Sequence, residues 1–208
     1  MYLPRHFDLS DSAHAIDLIR SNPFATVISH DGKESFASHI PVLYRSGNGP
    51  QASLVAHLAR ANPQWRHFER DEEVLAIFQG PHAYVSPTWY ATQPAVPTWN
   101  YAAVHVYGIP RIISEHEPLL KLLDEFVETF EAPRTDRWSN ELPAEFREKM
   151  MAAIVGFEIV ITRIEAKFKL SQNRSLTDVE GVISALANSD RAMERDLSEL
   201  MRKVAIRS

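Results

Sequence analysis

The stretch FATVISHDGKESFASHIPVLYR, residues 24–45, decides the fold. Phe24–His30 is rich in β-formers, Asp31-Gly32 is a strong hairpin turn signal, and Ser35–Arg45 returns as a second strand. Two strands joined by so short a turn must run antiparallel. Pro41 lies inside the return strand and cannot donate to a ladder, so that strand is expected at an edge or bulged there.

Working outward, the same rhythm continues. Before the hairpin, Ser10, Asp11 and Ser12 offer an N-cap for a helix carrying Ile16, Leu18 and Ile19, which Pro23 stops. After it, Ser46–Pro50 is a turn cluster and Ala52–Leu58 a third strand. Asn62-Pro63 reads as an N-cap and first helical residue before a short helix with Trp65 and Phe68. Glu73–Gln79 is a fourth strand and Ala83–Ser86 a candidate fifth. Pro87–Pro97 holds three prolines and cannot be regular throughout. Thr98–Ser114 is again a strand.

Glu117–Phe130 is an amphipathic helix, Ala132–Pro143 a polar loop, and Ala144–Ile154 a further helix. In Gly156–Leu170, Phe157, Ile159 and Ile161 alternate with Glu158, Val160 and Thr162, the period of a half-buried strand. Two helices close the chain. Leu176, Val179, Val182, Ile183 and Leu186 stripe the first, and Met193, Leu197, Leu200, Met201 and Val204 the second. Neighbouring strands with tight turns are not the strand–helix alternation of a doubly wound sheet. The expectation is α+β or mainly β: an antiparallel barrel with peripheral helices, one domain over residues 1–208, its C-terminal helices at about 175–205 packed on it.

Bulk properties narrow the function. A chain of 208 residues can bury a core unaided. The absence of cysteine rules out a disulfide scaffold and a thiolate metal site. A net charge of −5 argues against a protein that coats nucleic acid. Met1–Asp11 lacks the apolar run of a secretory signal, and Met151–Ile164 is too short to span a bilayer, so a cytoplasmic protein with no membrane contact is expected. With seven glycines, neither G-x-G-x-x-G after a strand nor G-x-x-x-x-G-K-[ST] occurs, so a bound nucleotide must be held by side chains and strand ends. His39, His57, His82 and His105 lack ligand spacing, and no metal site is expected.

Three regions carry candidate chemistry. In HLARANPQW, residues 57–65, Arg60 and Asn62 sit at a strand-to-helix turn. The turn reads either as a plain cap with an exposed arginine or as a phosphate clamp, since Arg forks two bonds onto a phosphate. FQGPHAYVSPTWY (78–90) and VPTWNYAAVHVYG (96–108) together bring Trp89, Tyr90, Trp99 and Tyr101 among polar neighbours. They read as aromatic core packing or as walls for a flat heteroaromatic ring. KFKLSQNR, residues 167–174, puts three cations and small polar groups at a strand end, suited to solvent, an anion or a carbonyl-rich ring.

These motifs, with Met1-Tyr2, Pro4 and Phe7 and the stretch IVGFEI at 154–159, resemble the PaiB-type FMN-binding negative transcriptional regulators almost end to end. The resemblance implies a split β-barrel related to flavin reductases and pyridoxamine phosphate oxidases, and a homodimer with FMN at the subunit interface. It implies a phosphate site at His57, Arg60 and Asn62. It brings Trp99, Asn100 and Tyr101 to the flavin, from either subunit, and Lys169, Ser171 and Gln172 to its ring. The functions implied are a regulator or sensor and, alternatively, an FMN-dependent oxidoreductase with His82, Tyr84 and Lys169 as candidate catalytic groups. DNA stays open as a partner. From Asn188 to Ser208, Arg191, Arg195, Arg202, Lys203 and Arg207 are nearly balanced by Asp190, Glu194, Asp196 and Glu199, which reads better as a packing helix than a recognition helix.

Overall fold

A computed structural model describes residues 1–10, 13–47, 52–139 and 141–207, the last three of these without their side chains. The elements are α1 (Ala13–Ser21), β1 (Phe24–His30), β2 (Ser35–Pro41), β3 (Leu43–Arg45), β4 (Ser53–Ala59), β5 (Val74–Val85), β6 (Thr98–Ile113), α2 (His116–Glu131), α3 (Ala144–Ala152), β7 (Ile154–Lys169), α4 (Leu176–Ala187) and α5 (Ala192–Arg207). Short 3-10 helices occupy Arg5–Phe7, Pro63–Arg70 and Pro87–Trp89. The strands form one seven-stranded sheet in the order β2-β1-β5-β6-β7-β4-β3. No helix among the described residues is long and apolar enough to cross a membrane.

The hairpin forms as expected. β1 and β2 pair antiparallel from Phe24↔Pro41 to His30↔Ser35. The Asp31 carboxylate accepts the Lys33 and Glu34 N–H groups, both at 2.9 Å, and Gly32 takes φ 92°, a left-handed conformation that favours glycine. The return strand departs from its expected extent. It is cut at Val42 into β2 and β3, and Val42 N–H donates instead to Pro23 O at 2.8 Å. β2 and β3 then occupy opposite ends of the strand order although one residue separates them. A residue spans at most about 3.6 Å, so the two edges of the sheet meet and the sheet closes on itself. Pro41 marks that corner.

The chain divides into two compact units, and β5, β6 and β7 each contribute residues to both. One unit is Pro23–Ala76 with Val106–Arg163. It holds the closed corner and a core of Leu54, Phe68, Phe157 and Ile159, with the Phe68 and Phe157 rings 4.7 Å apart. Leu119, Leu122 and Phe126 of α2 are buried there; the period-3.6 pattern pointed to a face of Leu119, Leu120, Leu123, Phe126 and Val127, of which Leu120, Leu123 and Val127 are only half-buried, while Leu122 takes a fully buried place it did not include. Arg45 pairs with Glu125.

The other unit is Met1–Asn22, Ile77–His105 and Ile164–Ser208. Its part of β6 alternates strictly. Asn100, Ala102 and Val104 are buried, whereas Trp99, Tyr101, Ala103 and His105 face outward and are partly exposed. β5 is one strand where two were expected. Its burial alternation slips at Pro81 and His82, both half-buried, between buried Gly80 and Ala83. In α4 and α5 the stripe residues Val182, Leu186, Leu197, Met201 and Val204 are buried, and Ser198 Oγ donates to Ile183 O at 3.1 Å. Leu176 and Met193 depart from the stripe and lie exposed. Asp178 takes the inward position instead, accepting Thr92 N–H at 2.9 Å and Thr92 O–H at 2.5 Å. Those bonds from Thr92 hold its carboxyl below the usual carboxylate value. At the N-cap expected for α1, Asp11 and Ser12 lie outside the described residues, and Ser10 Oγ accepts the Ala166 N–H at 2.9 Å. Much of the Ser46–Pro50 turn cluster also lies outside them.

Candidate functional site

Two groups of expected site residues take shape, one in each unit. In the first unit, Asn62 caps the Pro63–Arg70 helix, its Oδ1 accepting Gln64 N–H at 3.0 Å, and its Nδ2 donates to Ser38 Oγ at 2.9 Å. Proline at the first helical position completes this start, as the sequence reads. Arg60 has a role the sequence did not disclose. Its Nε donates to Ala152 O and one Nη to Ile154 O, both at 2.8 Å, tying the turn to the α3–β7 junction. Trp65 donates its indole N–H back to Arg60 O at 3.0 Å. His57 is half-buried, edge-on to Phe126 at 5.4 Å, and its Nδ1 finds no partner among the described residues. Burial pushes its imidazole below the ordinary histidine value, so it is neutral at pH 7.

In the second unit, β6 divides its residues between two faces. Outward-facing Trp99 and Tyr101 wall an open groove of about 370 Å³, with Ala102 and Ala103 as a low floor and Ile77 and Gln79 of β5 alongside. A volume near 300 Å³ or above is the range of small-molecule sites. Trp99 is 49% exposed. It is held by stacking on His82, centroids 6.0 Å apart, by donating its indole N–H to His82 Nδ1 at 3.3 Å, and by the edge of Tyr84.

The alternate face carries the remaining candidates. Asn100 is buried and donates to Ser171 Oγ at 2.9 Å. Lys169 Nζ donates to Thr98 Oγ1 and, at 2.6 Å, to Trp99 O. Gln172 locks the strand end, its Oε1 accepting Leu170 N–H at 2.7 Å and its Nε2 donating to Phe168 O at 2.5 Å. Asn100, Lys169 and Ser171 are thus brought together behind the groove rather than in it, because side chains alternate along a strand. They fix the backbone that presents Trp99. The bond from Lys169 to Trp99 O is invisible to sequence reasoning, which supplies residue types but not partners.

Residues 1–163 match the family model described as "Putative FMN-binding domain". The chain belongs to this family. A Bacillus subtilis relative, "Protease synthase and sporulation protein PAI 2", is 37% identical over 97% of this chain and 96% of its own. Among solved structures, the flavocytochrome Anf3 of Azotobacter vinelandii matches with a TM-score of 0.62 at 16% identity, over 80% of this chain and 72% of that one. The FAD and heme binding protein of Mycobacterium smegmatis matches with a TM-score of 0.59 at 18% identity, over 82% and 78%. The fold class expected from the sequence, an antiparallel split β-barrel with peripheral helices, is the one the chain adopts. Within the family, FMN is the cofactor. The residues present fit it: the groove offers a half-exposed indole and a phenol ring over a floor of alanines, the surface a flat ring system needs.

Proposed function

We propose that this chain is a flavin-dependent regulatory protein that works as a homodimer in the cytoplasm, with the ring of FMN lying in the groove walled by Trp99 and Tyr101. The observation that carries the reading is that groove, built on the outward face of β6 in a chain of the FMN-binding family. Asn100, Lys169, Ser171 and Gln172 act as positioning residues that hold the strand end beneath Trp99. The turn carrying His57, Arg60 and Asn62 is a candidate phosphate-binding turn of its own unit, where Arg60 keeps one Nη group clear of the carbonyls it binds. Bound FMN supplies electron-transfer chemistry, and the chain's part is to bind and orient it and to limit water at the ring.

The dimer reading rests on the same strand. β6 is central in the sheet, yet Trp99, Tyr101, Ala103 and His105 on its outward face remain partly exposed. Half-exposed aromatic residues on a central strand are the composition of an interface core, and two-fold pairs are the commonest assembly. The regulatory role is drawn from the resemblance of the sequence motifs to the PaiB-type FMN-binding negative transcriptional regulators. A chain free of cysteine suits the reducing cytoplasm.

The test separates regulator from enzyme. Protein loaded with FMN and freed of excess is reduced with NADPH, then with dithionite, under air and under argon. Dimer mass is followed by light scattering and DNA contact by a gel shift with salt titration. The reading expects a dimer, and a change in dimer arrangement or DNA affinity between the two redox states. Steady NADPH consumption over many turnovers with neither change would overturn it in favour of an oxidoreductase.

A further inference from the structure

Behind the groove, on the opposite face of β6, lies a second and smaller cavity of about 100 Å³. Thr98 and Asn100 line it from β6, Lys169 and Ser171 from the end of β7, Arg174 from the turn that follows, and Tyr90 from the proline-stiffened loop. The volume is that of roughly three waters in the liquid. It admits one tetrahedral group and is far below the range of ring-bearing ligands.

The lining contains two cations and no carboxylate. Neither Lys169 nor Arg174 forms an ion pair among the described residues. Burial, followed by the neighbouring Lys167 ammonium, holds Lys169 below the ordinary lysine value, so its charge lies in a setting that opposes it. Arg174 stacks on the Tyr90 ring with its guanidinium carbon 4.6 Å from the centroid, which fixes the group while leaving its N–H donors in the plane. The hydroxyls are poised as donors as well. Thr98 Oγ1 accepts from Lys169 and Ser171 Oγ accepts from Asn100, so the proton of each hydroxyl is left to give. Ser171 holds φ 66°, an uncommon conformation for a residue with a side chain, maintained where its hydroxyl meets the cavity. The wall is stiff on the far side too. Asp178 anchors the loop through Thr92, and Gly181 of α4 comes so near that a Cβ there would stand 2.2 Å from Trp89 O.

We infer that this cavity is a phosphate-binding site, separate from the flavin groove, that takes inorganic phosphate or the phosphate of a phosphomonoester through Lys169, Arg174, Thr98 and Ser171. A charge-assisted pocket of this size, lined by two cations and no carboxylate, suits a tetrahedral oxyanion better than a neutral ligand. Its partner in recognition is Asn173, whose exposed amide stands at the rim. The inference does not require the flavin to occupy the Trp99 groove, because phosphate binding is measurable with and without FMN.

The experiment is calorimetric titration of inorganic phosphate at matched ionic strength into the full chain, FMN-free and FMN-saturated. Wild type, Arg174→Gln and Asn173→Asp are compared. One phosphate per chain is expected in both flavin states, weakened roughly tenfold or more by Arg174→Gln, with FMN affinity unchanged. Asn173→Asp sets a carboxylate at the rim and weakens phosphate in the same direction without touching the stacked arginine, so it serves where Arg174→Gln folds poorly. Phosphate that binds FMN-free and riboflavin-loaded protein but not FMN-loaded protein would overturn the separate site and make the cavity the flavin's own phosphate pocket. Absence of binding, or binding indifferent to both substitutions, would overturn it entirely.

Discussion

Replacing Trp99 with alanine isolates the groove wall. The indole is 49% exposed and touches its own protein chiefly through His82 and Tyr84, so its loss costs folding little, about 1 kcal/mol or less. Its loss to a stacked flavin is larger. An aromatic face against a heteroaromatic ring contributes about 1–3 kcal/mol, which is roughly a fivefold to 150-fold weakening of FMN. Trp99→Phe keeps a ring but loses the N–H bond to His82, so most of the affinity returns with a looser wall. The assay is quenching of FMN fluorescence on titration with protein, with circular dichroism confirming the fold of each variant. Wild type is expected to quench strongly, Trp99→Phe partly and Trp99→Ala least. A folded Trp99→Ala protein that binds FMN within twofold of wild type would refute the placement of the ring.

Three further outcomes follow from contacts elsewhere. Arg60→Ala removes two bonds to the carbonyls of residues 152 and 154 and should lower stability by about 1–2 kcal/mol in urea unfolding, the low end for charged donors because the group is exposed, and an unchanged midpoint would contradict the clamp. The Asp178 carboxyl is depressed below its ordinary value of 3.8, so its contribution is complete above that pH and disappears as pH falls through the lower folded value; wild type and Asp178→Asn should therefore differ in melting temperature at pH 7 and converge in acid, and a gap that persists at the lowest pH would contradict the assignment. Gly181→Ala gains up to about 1 kcal/mol of helix propensity, but its methyl would meet Trp89 O at 2.2 Å, and the overpacking cost of about 1–3 kcal/mol outweighs that gain, so a lower melting temperature is expected.

What was legible in the sequence and what was not divides along physical lines. Period and turn chemistry are local, so the Asp31-Gly32 hairpin, the alternation of Phe157 and Ile159 and, at Leu119 and Phe126, part of the inward face of α2 could be read from residue order. Pro41 announced a break, but that the break carries the chain from one sheet edge to the other depends on pairing partners more than a hundred residues away. Pro81 suggested a gap between two strands, whereas one continuous strand runs through it with only a slip in its burial alternation. At the site, residue types suggested an aromatic cluster and a cationic strand end, and the strand's alternation could have shown that Trp99 and Asn100 face opposite ways. The clamp of Arg60 on carbonyls some ninety residues distant, and the hold of Lys169 on Trp99 O, have no sequence signal, because a side-chain donor seeking a backbone carbonyl is indifferent to the residue that carries it. Leu176 fitted a helical stripe yet lies exposed in the first turn, where Asp178, satisfied by Thr92, is the buried residue.

The most direct measurement is a crystal structure of the chain grown with FMN. Density for the three-ring system packed against Trp99 and Tyr101, with the cavity behind Thr98 and Asn100 left to a separate oxyanion, is the predicted result. Flavin density on any other surface, with the Trp99 groove filled by solvent, would contradict the account.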